Sequence, residues 1–315
     1  MTAVLAPTAY TVDPWDPGYG VARGDELDGP ESTARLELDI EMKAADWKPV
    51  DPAGGPLPGS VLFLDGVRRI DARVWVHGEG PEPVPGVAAS LAAGLVCCDG
   101  AARLVDVRVD RGVYAAAGGD IVTRHAHYHF QRTTGGLDKL TLGVQRRMGE
   151  LEVELANTWR SASNVEDDLL VVDGPLRGRT HLARTVGYVK THQKSYLQAE
   201  QAAVVADLAP GQRSPVFGMG TSWERKSWYL RLPGSSRAPW SAVVRLECSA
   251  DLPDDHATAL ADVTARVLPR LASSPHKDPR APQNLVPIGG LERQLRHRLG
   301  DAALLYRSLR AAPAA

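Results

Sequence analysis

Two short runs constrain the fold more than any other feature: VLFLDGVRR at 61–69 and LLVVDGPLRGR at 169–179. In each, four apolar residues lead into Asp-Gly, and arginines follow: Arg68 and Arg69 after Asp65, Arg177 and Arg179 after Asp173. An apolar run of this length reads as a buried strand. Between the two runs the period changes. Val144, Met148, Leu151, Leu155 and Trp159 recur at helical spacing, which predicts a helix over about 137–160.

The flanking chain reads as follows. ARLELDIEM (34–42) alternates as an amphipathic strand, and the Pro- and Gly-rich stretch 49–60 reads as a loop. After the strand at 61–65, Ile70 to His77 reads as its hairpin partner. Strands are expected at 86–98 and 103–110, joined by an Asp99-Gly100 turn, and another at 120–131. Beyond the helix come strands at 168–173 and 185–189, a helix near 198–208, strands at 226–232 and 241–248, and helices at 255–272 and 290–310. This order is that of an α/β fold: an RNase H-like mixed sheet flanked by helices, with additional β-rich elements. Residues 1–57 are expected to form an N-terminal extension with one strand, and 58–312 the main domain.

Composition narrows the class of function. A net charge of −2 gives no whole-chain basic signal, so a nucleic-acid surface would have to be local. Three cysteines, with no CxxC pair, fit neither a disulfide framework nor a cysteine-based zinc site; reduced thiols and a cytoplasmic location are expected. No apolar run approaches the length of a membrane span, so no membrane association is expected, and the N-terminus does not read as a signal peptide. No GxxxxGK[ST] is present, so any ATP-driven step would fall to another protein.

Burying carboxylates costs several kcal/mol unless they are compensated. If the two strands are neighbours, Asp65 and Asp173 lie side by side, and like charges that close need a cation between them. A divalent metal with oxygen ligands supplies it. The intervening helix offers Glu150, Glu152 and Glu154 as a third carboxylate. Glu152 lies about 60° from the centre of the apolar face, Glu154 about 100° and Glu150 about 140°, which places Glu152 best. Lys190 ends the apolar strand of TVGYVKTH and would bind phosphate or orient a water. His192 and Lys194 make the following loop basic. Carboxylates, metal and lysine together suit metal-assisted phosphodiester cleavage, with the arginines facing phosphates. Two further stretches stand out. HAHYHF (125–130) puts His125, His127 and His129 on one face of the expected strand, suited to a transition metal or to a solvated polar strip. SWERKSWYLRL (222–232) mixes aromatics with cations, as core residues or as a stacking surface for single-stranded nucleic acid.

With LFLDGVRR, MGELEVELA, LLVVDGPL and TVGYVKTH in this order, the sequence resembles the NurA family of DNA-repair nucleases over roughly residues 58–300. APQNLVPIGGLE is similar to the family's Pro-x-x-Leu segment. The resemblance implies an RNase H-like core and Mn²⁺- (or Mg²⁺-) dependent DNA cleavage, as a 5′–3′ exonuclease and single-strand endonuclease in end resection and double-strand break repair. It also implies a homodimer docked on a HerA-type hexameric ATPase. Asp65, Glu152 (or Glu154) and Asp173 would be catalytic metal ligands and Lys190 would sit at the scissile phosphate. Arg68, Arg69, Arg177, His192 and Lys194 would then contact substrate. The chain departs from the family at both Asp-Gly-Ser positions, here Asp-Gly-Val and Asp-Gly-Pro. Ile288, Gly289 and Gly290 stand where the family carries a histidine. These departures motivate an alternative, a catalytically weakened DNA-end-binding or ATPase-docking subunit.

Overall fold

The computed structural model describes residues 34–76, 82–162, 167–190, 196–234 and 240–311. In chain order its elements are β1 (Arg35–Glu37), β2 (Ser60–Val76), β3 (Val84–Cys98), β4 (Ala102–Ala115), β5 (Ile121–Val122), β6 (His127–Arg132), α1 (Leu137–Ala162), β7 (Asp168–Asp173), β8 (Thr185–Val189), α2 (Ala199–Ala206), β9 (Phe217–Gly220), β10 (Glu224–Arg231), β11 (Val243–Ser249), α3 (Asp254–Val267), α4 (Val286–Arg298) and α5 (Ala302–Ala311). Among the described residues, 34–57 group with 189–286 in one compact unit, and 58–188 with 287–311 in another.

In the second unit the strands lie in the order β8-β7-β2-β3-β4-β6-β5. β2, β3 and β4 form an antiparallel meander, while β7 runs parallel to β2 and β8 parallel to β7. β3 is small and apolar along most of its length and buried on both faces from Gly86 to Val96, as a strand covered from two sides must be. The two covers are identifiable. A side chain at Gly66 would point at Met148 and Glu152 of α1, and one at Gly94 would meet Leu291 and Leu295 of α4. Asp65 pairs with Gly94 across the β2–β3 ladder. Paired residues share a face and successive ones alternate, so α1 and α4 cover opposite faces.

The first unit carries an antiparallel sheet in the order β1-β9-β10-β11. Its core joins Trp47, Phe217, Met219, Tyr229 and Val243 with Leu197, Val205 and Leu208.

Four expectations change. The strand expected over 34–42 is confined to β1, Arg35–Glu37. β2 does not turn at Asp65-Gly66; it runs on to Val76 against β3, with an irregularity only between Ile70 and Ala72. Gly66 serves close packing there, not a turn. The stretch 120–131 is not one strand: Thr123 hydrogen bonds to Ala126 and turns the chain between β5 and β6. The last helix is two, α4 and α5, separated at Gly300, whose φ of 81° no helical residue adopts. β9 had no counterpart in the sequence reading. Cys97, Cys98 and Cys248 are free thiols. Among the described residues no helix is long and apolar enough to cross a membrane.

Candidate metal centre

The parallel β2–β7 pairing runs from Ser60↔Asp168 to Leu64↔Val172. The apolar runs thus fix the register, and the next residue of each strand, Asp65 and Asp173, emerges beside the other. Asp65 Oδ1 accepts the Gly66 N–H at 2.7 Å, which fixes the carboxylate's orientation. Because its cross-strand partner is Gly94, no side chain fills the space over that position. Leu291 and Leu295 of α4 settle there instead; an added Cβ on Gly94 would lie 2.7 Å from Leu295 Cδ2. This seating delivers the residue after Leu291. Carboxylate oxygens of Asp65, Asp173 and Glu292 all lie within 4.8 Å of one another. Asp65 and Glu292 are each 7% exposed, and Asp173 is half-buried. Three carboxylates this close coexist only with positive charge or shared protons among them. An all-oxygen donor set of this charge fits a hard divalent cation such as Mn²⁺ or Mg²⁺.

Glu152, the expected third ligand, reaches the sheet but on the other face. It is buried under α1 above Gly66, where it closes an ion pair with the buried Arg179. Arg179 also donates to the Pro175 carbonyl at 3.3 Å. Burial pushes the Glu152 carboxyl up to about 7; Arg179 opposes that shift and Asp173 adds to it. Glu150 and Glu154 are exposed, with oxygens 3.5 Å and 2.7 Å from Arg147 Nη1. The helical period therefore selects the right glutamate for burial, whereas the third member of the carboxylate group comes from α4. The reason is local: Asp65 faces α4, and its neighbour Gly66 faces α1.

The basic residues divide as well. Arg68 is exposed and donates to Gln145 at 2.6 Å. Arg177 is exposed in an open groove along α1, with Gln145, Arg146 and Glu150. Arg69 is engaged within the fold. It pairs with the buried Asp71 at 2.7 Å and donates to the carbonyls of Leu299 (3.3 Å) and Gly300 (2.7 Å), capping α4. Lys190, in the first unit, donates to Asn284 Oδ1 at 2.9 Å, and Asn284 donates in turn to Asp278 at 2.6 Å. His192 and Lys194 lie outside the described residues. In SWERKSWYLRL the aromatics are largely core: Trp228 is fully buried and bonded to Thr264 (3.1 Å), and Tyr229 is 2% exposed.

Glu292 is the member of the carboxylate cluster that sequence reasoning missed. Its only trace is position: it closes APQNLVPIGGLE, two residues after the glycines that stand in the place of a histidine.

No family model matches the chain, and no curated protein does. Solved structures match locally, among them two of NurA. A crystal structure of NurA aligns at 19% identity over 44% of this chain and 23% of that one, with a TM-score of 0.23. A crystal structure of NurA bound to dAMP and manganese aligns at 18% identity over 43% of this chain and 23% of that one, with a TM-score of 0.22. The chain thus spans less than a quarter of each of those structures, and likenesses of this size do not establish family membership.

Proposed function

We propose that the chain is a metal-dependent deoxyribonuclease whose centre is Asp65, Asp173 and Glu292. The observation that carries this reading is the convergence of their three carboxylates from β2, β7 and α4. The strand order β4-β3-β2-β7-β8, an antiparallel meander extended by two parallel strands, supports an RNase H-like core. Bound there, Mn²⁺ or Mg²⁺ would polarise a phosphoryl oxygen and lower the pKa of a water. The carboxylates hold the ion by charge and by the fixed register of β2 and β7. Arg68 and Arg177 take phosphates along the strand from exposed positions, and Lys190 belongs to the proposal as a phosphate contact on the strength of the sequence motif alone. Glu152 acts as a positioning residue, fixing Arg179 beneath the loop that follows Asp173. A third oxygen donor from Glu292, near the place of the absent histidine, favours an active centre over a subunit that only binds ends. The 5′–3′ polarity, single-strand endonuclease activity, homodimer and HerA-type ATPase partner belong to the proposal on the strength of the sequence motifs alone.

The test is degradation of end-labelled single- and double-stranded DNA, with RNA as control, in Mn²⁺ or Mg²⁺. Calorimetric Mn²⁺ titration runs alongside. Outer-shell partners of a metal are typically worth ~10–100-fold, and direct ligands should cost no less. Asp65→Asn, Asp173→Asn and Glu292→Gln are each expected to lower cleavage by at least ~100-fold and to weaken Mn²⁺ binding. A wild-type chain that stays inert with either metal and a HerA-type ATPase, or variants as active as it, would overturn the reading.

A further inference from the structure

Independently of the carboxylate centre, the edge of the same sheet holds a second cluster with ligand chemistry of its own. His127 and His129 lie two apart on β6, so their side chains share a face, while Tyr128 between them is buried on the other against Ala88 and Val113. Side chains at this spacing begin roughly 7 Å apart. Here the two rings lean together until their centroids are 4.2 Å apart. What they converge on is Asp120, which precedes β5. Asp120 Oδ1 accepts the Phe130 N–H at 2.8 Å, so the carboxylate is anchored by backbone. Its Oδ2 is left toward the imidazoles, 2.6 Å from His127 Nε2 and 3.3 Å from His129 Nδ1. All three ligand atoms lie within 4.8 Å of one another. His125, expected on the same face, sits in the turn instead and is outside the group.

We propose that Asp120, His127 and His129 form a metal site for a borderline first-row cation of the Zn²⁺ class. Ligands about 2.0–2.1 Å from a tetrahedral ion stand ~3.3 Å from each other. The observed 3.3 Å separation already has that value, and the 2.6 Å one opens to it with a small rotation of His127. Two imidazoles and one carboxylate select Zn²⁺, Co²⁺, Ni²⁺ or Cu²⁺ over the hard cations suited to the all-oxygen centre. Every ligand is close to half exposed, so water completes the coordination and the ion enters directly from solvent. The ion would tie the segment before β5 to β6 across the turn at Thr123–Ala126. That is a clip on the outermost hairpin of the sheet.

The experiment is Zn²⁺ titration of the metal-stripped full chain in competition with a chromophoric chelator. Histidine-selective NMR reports which imidazoles respond. The wild type is expected to take up one equivalent that Asp173→Asn retains. Asp120→Asn and His129→Ala should each weaken this equivalent by about tenfold or more. The imidazole signals of His127 and His129 should shift with Zn²⁺ while that of His125 stays in place. The ligands are exposed, so these variants are expected to fold, and an unchanged far-UV spectrum checks this. Uptake that Asp120→Asn and His129→Ala leave unchanged, uptake lost in Asp173→Asn, or Zn²⁺ shifts at all three histidines alike would overturn the proposal.

Discussion

A Cβ placed on Gly66 would overlap the Glu152 carboxylate and stand 3.1 Å from Met148 Cγ, within a continuous strand. One placed on Gly174 meets nothing within 4 Å, but the backbone there has a φ of 116°, in the region that favours glycine. Asp65-Gly66 and Asp173-Gly174 thus look alike in sequence and differ in cause: the first glycine makes room, the second turns the chain. The difference is measurable. Gly66→Ala should destabilise by ~1–3 kcal/mol, the usual range for overpacking, and should loosen the Glu152–Arg179 pair. Glu152→Gln made in the same background tests the mechanism. If overlap with Glu152 is the cause, the two substitutions are non-additive by ~0.5 kcal/mol or more in urea denaturation. Strict additivity would show that the clash is relieved elsewhere.

At the scale of elements, α1 shows what periodicity can and cannot carry. Its apolar stripe marks Val144, Leu151 and Leu155, all buried, and it selects Glu152 over Glu150 and Glu154 for burial. The extents of β7 and β8 were likewise legible, because fully buried strands are unbroken apolar runs. What periodicity cannot state is which face of a sheet a residue meets. That depends on the alternation at Asp65 and Gly66 and on α4, which returns from more than a hundred residues away to fill the space over Gly94. Glu292 was invisible for that reason. The split of α4 from α5 was overlooked for a simpler one: Gly300 lies within a sequence that otherwise keeps helical character. α1 contains a glycine of the opposite kind. Gly149 is mid-helix with nothing within 4 Å of an added Cβ. Gly149→Ala is therefore expected to stabilise the chain by ~0.5–1 kcal/mol, seen as a higher urea midpoint with unchanged Mn²⁺ binding. A lower midpoint would mean that the groove along α1 needs the bare backbone.

The whole molecule is assembled from segments far apart in sequence, and in the first unit one buried cation joins them. Arg213, 1% exposed, donates to Glu41 through Nη1 at 2.7 Å and Nη2 at 2.8 Å, and to Asp262 through Nε at 2.7 Å. Glu41 also accepts the Val216 N–H at 2.7 Å. Residue 41 comes from the N-terminal segment and Asp262 from α3, so the cluster ties together three parts of the unit. Backbone pairing follows the same route, with Val50 and Arg213 exchanging hydrogen bonds at 2.9 and 3.0 Å. Such a cluster is a poor source of net stability when intact, because desolvation offsets most of the attraction. Removing one member is another matter, since the remaining charges stay buried. Arg213→Ala leaves two carboxylates without their shared cation and is expected to cost ~3–5 kcal/mol. Arg213→Ala combined with Glu41→Gln and Asp262→Asn should recover part of that loss, because the uncompensated charges are gone. Limited proteolysis across a urea series reads this directly. Cleavage within 34–57 should begin at lower urea in Arg213→Ala and move back toward wild type in the triple variant. If the single variant resists cleavage as well as the wild type, hydrophobic packing around Trp47 and Phe217 alone holds the N-terminal segment in place. If the triple variant is no better than the single one, the cost lies in the lost packing of the arginine side chain and not in buried charge.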